Sequence, residues 1–101
     1  MTKTEFDTLS SAEIVKVLGK RFAQYRKQCK MTQKEVSEQS GLSVFTISGF
    51  ENGSLTGISL SSFVRLIRAI GEVEQIDKLL QELPPSPEKL YFEMIKEGRK
   101  K

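Results

Sequence analysis

The run "MTQKEVSEQSGLSVFTISGFENG", Met31 to Gly53, limits what this chain can fold into more than any other stretch. Thr32 and Glu35 stand at capping-box spacing, so a helix starts at Gln33, with the hydroxyl and the carboxylate each taking an otherwise unpaired backbone amide. Gly41 suits the positive φ needed just past a helix end and lets the chain turn sharply. Ser43 is a good N-cap for the next helix, which Asn52 and Gly53 close. Only two short helices, about 33–39 and 44–51, fit between these signals. Val36 and Ile47 must then be apolar because each helix packs on the other, and Ser37 must be small because the following helix crosses close to it.

The flanks read as helices too. Ser10 and Glu13 form a second capping box, and Ile14, Val17, Leu18, Phe22, Tyr25 and Cys29 recur at steps of three or four, which predicts a helix over about 11–29 with Cys29 on its apolar stripe. "LSSFVRLIRAIG" is densely apolar and predicts a helix buried over most of its circumference, ending at Gly71. "VEQIDKLLQEL" puts Val73, Ile76, Leu79, Leu80 and Leu83 on one stripe, and Pro84 and Pro85 stop it. Ser86 and Pro87 pair as N-cap and first residue of a last helix through "EKLYFEMIKEG", before the basic tail Arg99, Lys100 and Lys101. The fold class is all-α: five core helices with an appended C-terminal helix and no strand. The expected organisation is a flexible segment over 1–10, one domain over 11–83, and the C-terminal helix and tail over 84–101. A chain of 101 residues buries about 65% of its unfolded surface, enough for one core.

Charge is unevenly placed. Residues 16–34 hold seven basic residues (Lys16, Lys20, Arg21, Arg26, Lys27, Lys30, Lys34) and no acid, whereas residues 72–97 hold seven acids against three lysines. The basic side suits a polyanion; the acidic side suits a basic protein or solvent alone. Enzyme chemistry is poorly served. The chain has no histidine, its one cysteine is expected to be a buried inert thiol, and no phosphate-cradling glycine loop is present. No enzyme activity, cofactor or metal is expected. A single cysteine, a start without signal-peptide character and no apolar run near 18 residues make a cytoplasmic protein without a membrane segment the default.

Two short helices around a glycine turn, flanked by longer ones, are the layout of a helix-turn-helix. The segments "LGKRFAQYRKQCKMTQKEVSEQSGLSVFTISGFENG" and "LSSFVRLIRAIG" resemble the lambda-repressor-like, or Xre-type, helix-turn-helix domains over roughly residues 17–71. Leu18, Phe22 and Arg26 have the family's first-helix spacing, and Gln33, Gly41, Ile47 and "FENG" fall at its offsets. Ser37 departs from it, standing where Ala is usual.

The resemblance implies a sequence-specific DNA-binding repressor and assigns roles to single positions. Gln33 would bind a phosphate and brace the recognition helix, with Lys34 beside it. Arg26 and Glu51 would form a structural ion pair. Asn52 would hold a phosphate at the other side of the half-site. Ser43, Val44, Phe45, Thr46 and Gly49 would face base edges in the major groove. Lacking Gln, Arg or Asn there, reading would rest on the two hydroxyls and on apolar contacts such as thymine methyls. Ser43 reads equally as an N-cap alone; Phe45 has a core or partner contact as its alternative, but Ile47 and Phe50 already supply the inward face, which favours the groove.

The family commonly dimerises near its fifth helix, so the Val73, Ile76, Leu79, Leu80 and Leu83 stripe reads as a dimer face, as closure of the chain's own core, or as both. A homodimer implies an inverted-repeat operator in double-stranded DNA. "AIGEVEQIDKLLQELPPSPEKLYFEM" resembles the tail of HipB-like antitoxins, which accompany Hip-type kinase toxins. That likeness implies autoregulation of an operon and docking of a kinase-like toxin through Leu90, Tyr91 and Phe92. The alternatives are a stand-alone small repressor and a protein-interaction module without DNA binding.

Overall fold

The computed structural model describes residues 6–85. Among these residues there are five helices and no strand: α1 Ser11–Gln28, α2 Gln33–Ser40, α3 Val44–Asn52, α4 Leu60–Ala69 and α5 Val73–Leu79. The appended helix, Leu90, Tyr91, Phe92 and the basic tail lie outside the described residues.

Both capping boxes close as reciprocal pairs. The Ser10 hydroxyl accepts from the Glu13 amide at 3.1 Å while the Glu13 carboxylate accepts from the Ser10 amide at 2.9 Å. Thr32 and Glu35 repeat this at 3.0 and 2.9 Å. Hydrogen bonding to the backbone and then to the hydroxyl of Ser10 holds the Glu13 carboxyl below its ordinary value. A carboxyl with a depressed folded-state pKa contributes stability above its unfolded value of about 4.3, and that contribution is lost as pH falls through the folded value. Glu13→Gln is therefore expected to be less stable than the wild type near neutral pH, with the two converging in strong acid. Urea unfolding at a series of pH values checks it; a constant difference across the series would remove the carboxylate from the account.

Four helices meet in one core. Val36 and Ile47 are fully buried where α2 meets α3, joined by Phe22 from α1, Phe50 from α3, Leu66 from α4 and Ile70 just after it. Phe50 stands at the centre, its ring 5.8 Å from that of Phe22 and 6.0 Å, edge-on, from that of Phe63. Gly19 is buried on α1 against the Phe50 backbone, which lets α1 and α3 approach closely.

The turn between α2 and α3 is built from side chains as well as glycine. Gly41 adopts φ 78° and its amide donates to the Ser37 carbonyl at 2.9 Å. The Ser37 hydroxyl donates to the Leu42 carbonyl, and the Ser40 hydroxyl accepts from the Leu42 amide at 3.2 Å. Ser37 thus does what Ala could not, since its hydroxyl ties α2 to the start of α3.

Three expectations are corrected. Cys29 is exposed, not buried: α1 ends at Gln28 and Cys29 is its C-cap, at the end of the core, where its thiol donates to the Ile70 carbonyl at 3.8 Å. Helix α4 is buried along one face only, with Leu66 enclosed in the core and Leu60 71% exposed at its start. Helix α5 stops at Leu79, short of residue 83, having no side-chain cap and no fully buried residue to hold a further turn.

Candidate nucleic-acid interface

Helix α3 has one anchored and one open face. Ile47 and Phe50 point into the core, and Glu51 is fixed by Arg26. The guanidinium of Arg26 donates from Nε to Glu51 Oε2 at 2.7 Å and from Nη2 to Glu51 Oε1 at 2.9 Å, and its Nη1 donates to the Met31 carbonyl at 2.8 Å. The carboxylate hydrogen bonds raise the Arg26 pKa above its ordinary value. Gln33 completes the cluster by donating from Nε2 to Glu51 Oε1 at 3.0 Å. The first residue of α2 is thereby tied to the last turn of α3, and one amide N–H of Gln33 is left for a ligand. Lys34, beside it, is exposed.

On the open face, Phe45 is 87% exposed and Val44 41%. Phe45, Ser48 and Asn52 follow at three and four residues, one row along the helix. Spacing places Gly49 beside that row, but the structure corrects its role. The chain after Gly53 folds back over it, the Leu55 amide donating to the Gly49 carbonyl at 2.9 Å. A Cβ on Gly49 would lie 3.0 Å from that of Leu55. Gly49 is buried and cannot present its backbone to a groove; its missing side chain makes room for Leu55. Ser48 takes the outward place, a position the 45, 48, 52 spacing could have supplied.

The two hydroxyls at the start of α3 are not equivalent. Ser43 Oγ accepts from the Thr46 amide at 3.1 Å and donates to Thr46 Oγ1 at 3.0 Å, so it is occupied as the N-cap. Thr46 keeps its own O–H for an outward acceptor. Asn52 Oδ1 accepts from the Ser54 amide at 2.8 Å, which leaves its NH2 donors uncommitted among the described residues.

The positive charge around this face is smaller than the sequence count. Arg26 is neutralised by Glu51, whereas Arg21, over the Phe6 ring at 5.7 Å from its centroid, keeps its charge. Lys16, whose alkyl stem runs beside Gly53, supplies charge at the end of α3. The α5 stripe is largely open: Val73, Leu79, Leu80 and Leu83 are 43, 66, 90 and 74% exposed, with only Ile76 partly buried. Next to the first residues of α5, Tyr25, Phe63, Ile67 and Ile70 line an apolar groove between α1 and α4. Among the described residues no acidic or cysteine cluster could hold a metal, and no helix is long and apolar enough to cross a membrane.

A family profile described as Helix-turn-helix matches residues 22–74, from Phe22 in α1 to Glu74 at the start of α5. No curated protein and no solved structure matches the chain.

Proposed function

Since the chain belongs to the lambda-repressor-like helix-turn-helix family of DNA-binding transcription regulators, we propose that it is a repressor that binds double-stranded DNA as a homodimer, reading an inverted-repeat operator with α3. The observation that carries this reading is the division of α3 into an anchored face and an open one. The Arg26, Glu51 and Gln33 cluster holds the helix rigidly from behind, while Phe45, with Val44, Thr46, Ser48 and Asn52, stands clear of the core. Rigid placement matters because a base-edge contact carries information only when the backbone around it is fixed.

In this arrangement Gln33, Lys34 and Asn52 donate to phosphates and set the register, the Thr46 hydroxyl meets a base edge, and Phe45 and Val44 cover thymine methyls. Gln33→Ala and Asn52→Ala are expected to weaken binding to all operators alike. Thr46→Ala is expected to change preference at one base position by roughly 1–3 kcal/mol. Titration of each variant against operators altered one base pair at a time separates the two patterns. Equal loss on every operator for Thr46→Ala would reduce it to a positioning residue.

The exposed α5 stripe and the adjoining apolar groove support the dimer, because burying such a patch against a second copy removes it from water. Two α3 helices would then enter successive major grooves roughly 34–36 Å apart. Leu79→Glu with Leu80→Glu is expected to give a folded monomer in sedimentation, with operator affinity lost; an unchanged dimer would move the interface elsewhere. The antitoxin setting rests on the resemblance of the segment after Ala69 alone, and a kinase-like reading frame beside the gene is its first test.

A further inference from the structure

At the turn of the helix-turn-helix, the end of α2 and one side of α4 border an open cleft. Gln39, Ser40, Gly41, Arg65, Arg68 and Ala69 line a cleft of about 370 Å³, within the size range of small-ligand pockets. Arg65 and Arg68 are three residues apart on α4 and therefore share a face, two like charges directed into one space. Among the described residues neither guanidinium has a carboxylate partner, and no acid lines the cleft. The Arg65 Nη1 lies 3.9 Å from where a Cβ of Gly41 would stand, so the glycine leaves the wall open beside it.

Helix dipoles explain only part of this pairing. Arg68, in the last turn of α4, complements the negative end of that helix, and Arg65, beside Gly41, lies at that of α2. The C-terminal ends of α2 and α4 together bring about one negative charge, against two full positive ones, so a net positive field remains. Guanidinium forks in such a field match oxyanions bidentately. We propose that the Arg65–Arg68 cleft binds a small dianion of the dicarboxylate or phosphate-ester class, held between the two guanidinium groups against the Gly41 turn.

The test is calorimetric titration of the whole chain at constant ionic strength with succinate and, separately, inorganic phosphate, using chloride as the control, with amide NMR to locate the site. Saturable one-to-one binding of one or both dianions is expected, with amide shifts centred on residues 40–42. Whichever binds more tightly names the class. Arg65→Gln is expected to weaken that binding about tenfold, the usual loss for a charge-assisted hydrogen bond, and Arg65→Gln with Arg68→Gln to abolish it. Both arginines are exposed, so the variants keep the fold, which their melting curves check. No saturation with either dianion, shifts elsewhere, or equal binding by the double variant would overturn the proposal. So would loss of promoter-DNA binding by Arg65→Gln in a chain that binds neither dianion, since the arginines would then be phosphate contacts of DNA.

Discussion

Gly19→Ala is expected to lower the unfolding midpoint by roughly 10–20 °C, although the same change in an exposed helix interior stabilises by about 1 kcal/mol. The reversal comes from the crossing of α1 and α3. A Cβ on Gly19 would strike the Phe50 carbonyl oxygen and stand 2.8 Å from its carbonyl carbon and 3.3 Å from ring carbon Cδ1. The first two are backbone atoms of a helix held by Ile47 and by the Arg26–Glu51 pair, so they cannot give way as the end of a flexible side chain would. Overpacking of this kind costs about 1–3 kcal/mol, or more when backbones must separate, and outweighs the propensity gain. Gly57 is the control: a Cβ there meets nothing within 4 Å, so Gly57→Ala is expected to stay within about 0.5 kcal/mol of the wild type. Thermal unfolding of the two variants side by side checks the claim. Equal midpoints would show that α1 and α3 are not in close contact.

Glu51→Ala has the second large effect, about 3 kcal/mol of destabilisation. The side chains of Arg26 and Glu51 are only 10 and 7% exposed, so removing the carboxylate leaves a largely buried guanidinium whose remaining bond is to the Met31 carbonyl. An exposed ion pair would be worth under about 1 kcal/mol, and burial is what sets the larger figure. Replacing both partners, Arg26→Met with Glu51→Leu, is expected to recover most of the loss, because no charge is then stranded. The double variant should still bind operator poorly, since Gln33 has lost the acceptor that ties α2 to α3. Urea unfolding gives the first quantity and operator titration the second. A single variant costing less than about 1 kcal/mol would class the pair as a surface contact.

Local chemistry was legible in the sequence, and contacts between distant segments were not. Ser10 with Glu13 and Thr32 with Glu35 declare their helix starts because each box lies within four residues. Gly41 declares its turn for the same reason. The five helices and their order follow from such signals. Gly19 gives no sign of its role, since only the Phe50 backbone opposite it makes the glycine necessary. Gly49 misled because the family resemblance assigns it to the groove-facing positions, whereas Leu55 folds back across it. Cys29 misled because position on an apolar stripe does not guarantee burial: as the C-cap it stands at the end of α1, where the core no longer covers it. On α3, the exposure of Phe45 was legible from its register, because Ile47 and Phe50 supply the inward face, while the different fates of Ser43 and Thr46 needed the hydrogen bonds between them.

The central claim is that the open face of α3 reads DNA. Its most direct test is fluorescence anisotropy of the whole chain with a fragment of its own promoter and a scrambled fragment of equal length, over a series of salt concentrations. Specific binding should exceed binding to the scrambled fragment by about a thousandfold or more. Affinity for both should fall linearly on a log–log plot against salt as neutralised phosphates release counterions. No binding to the promoter fragment at low salt, or equal affinity for the two fragments, would contradict the account.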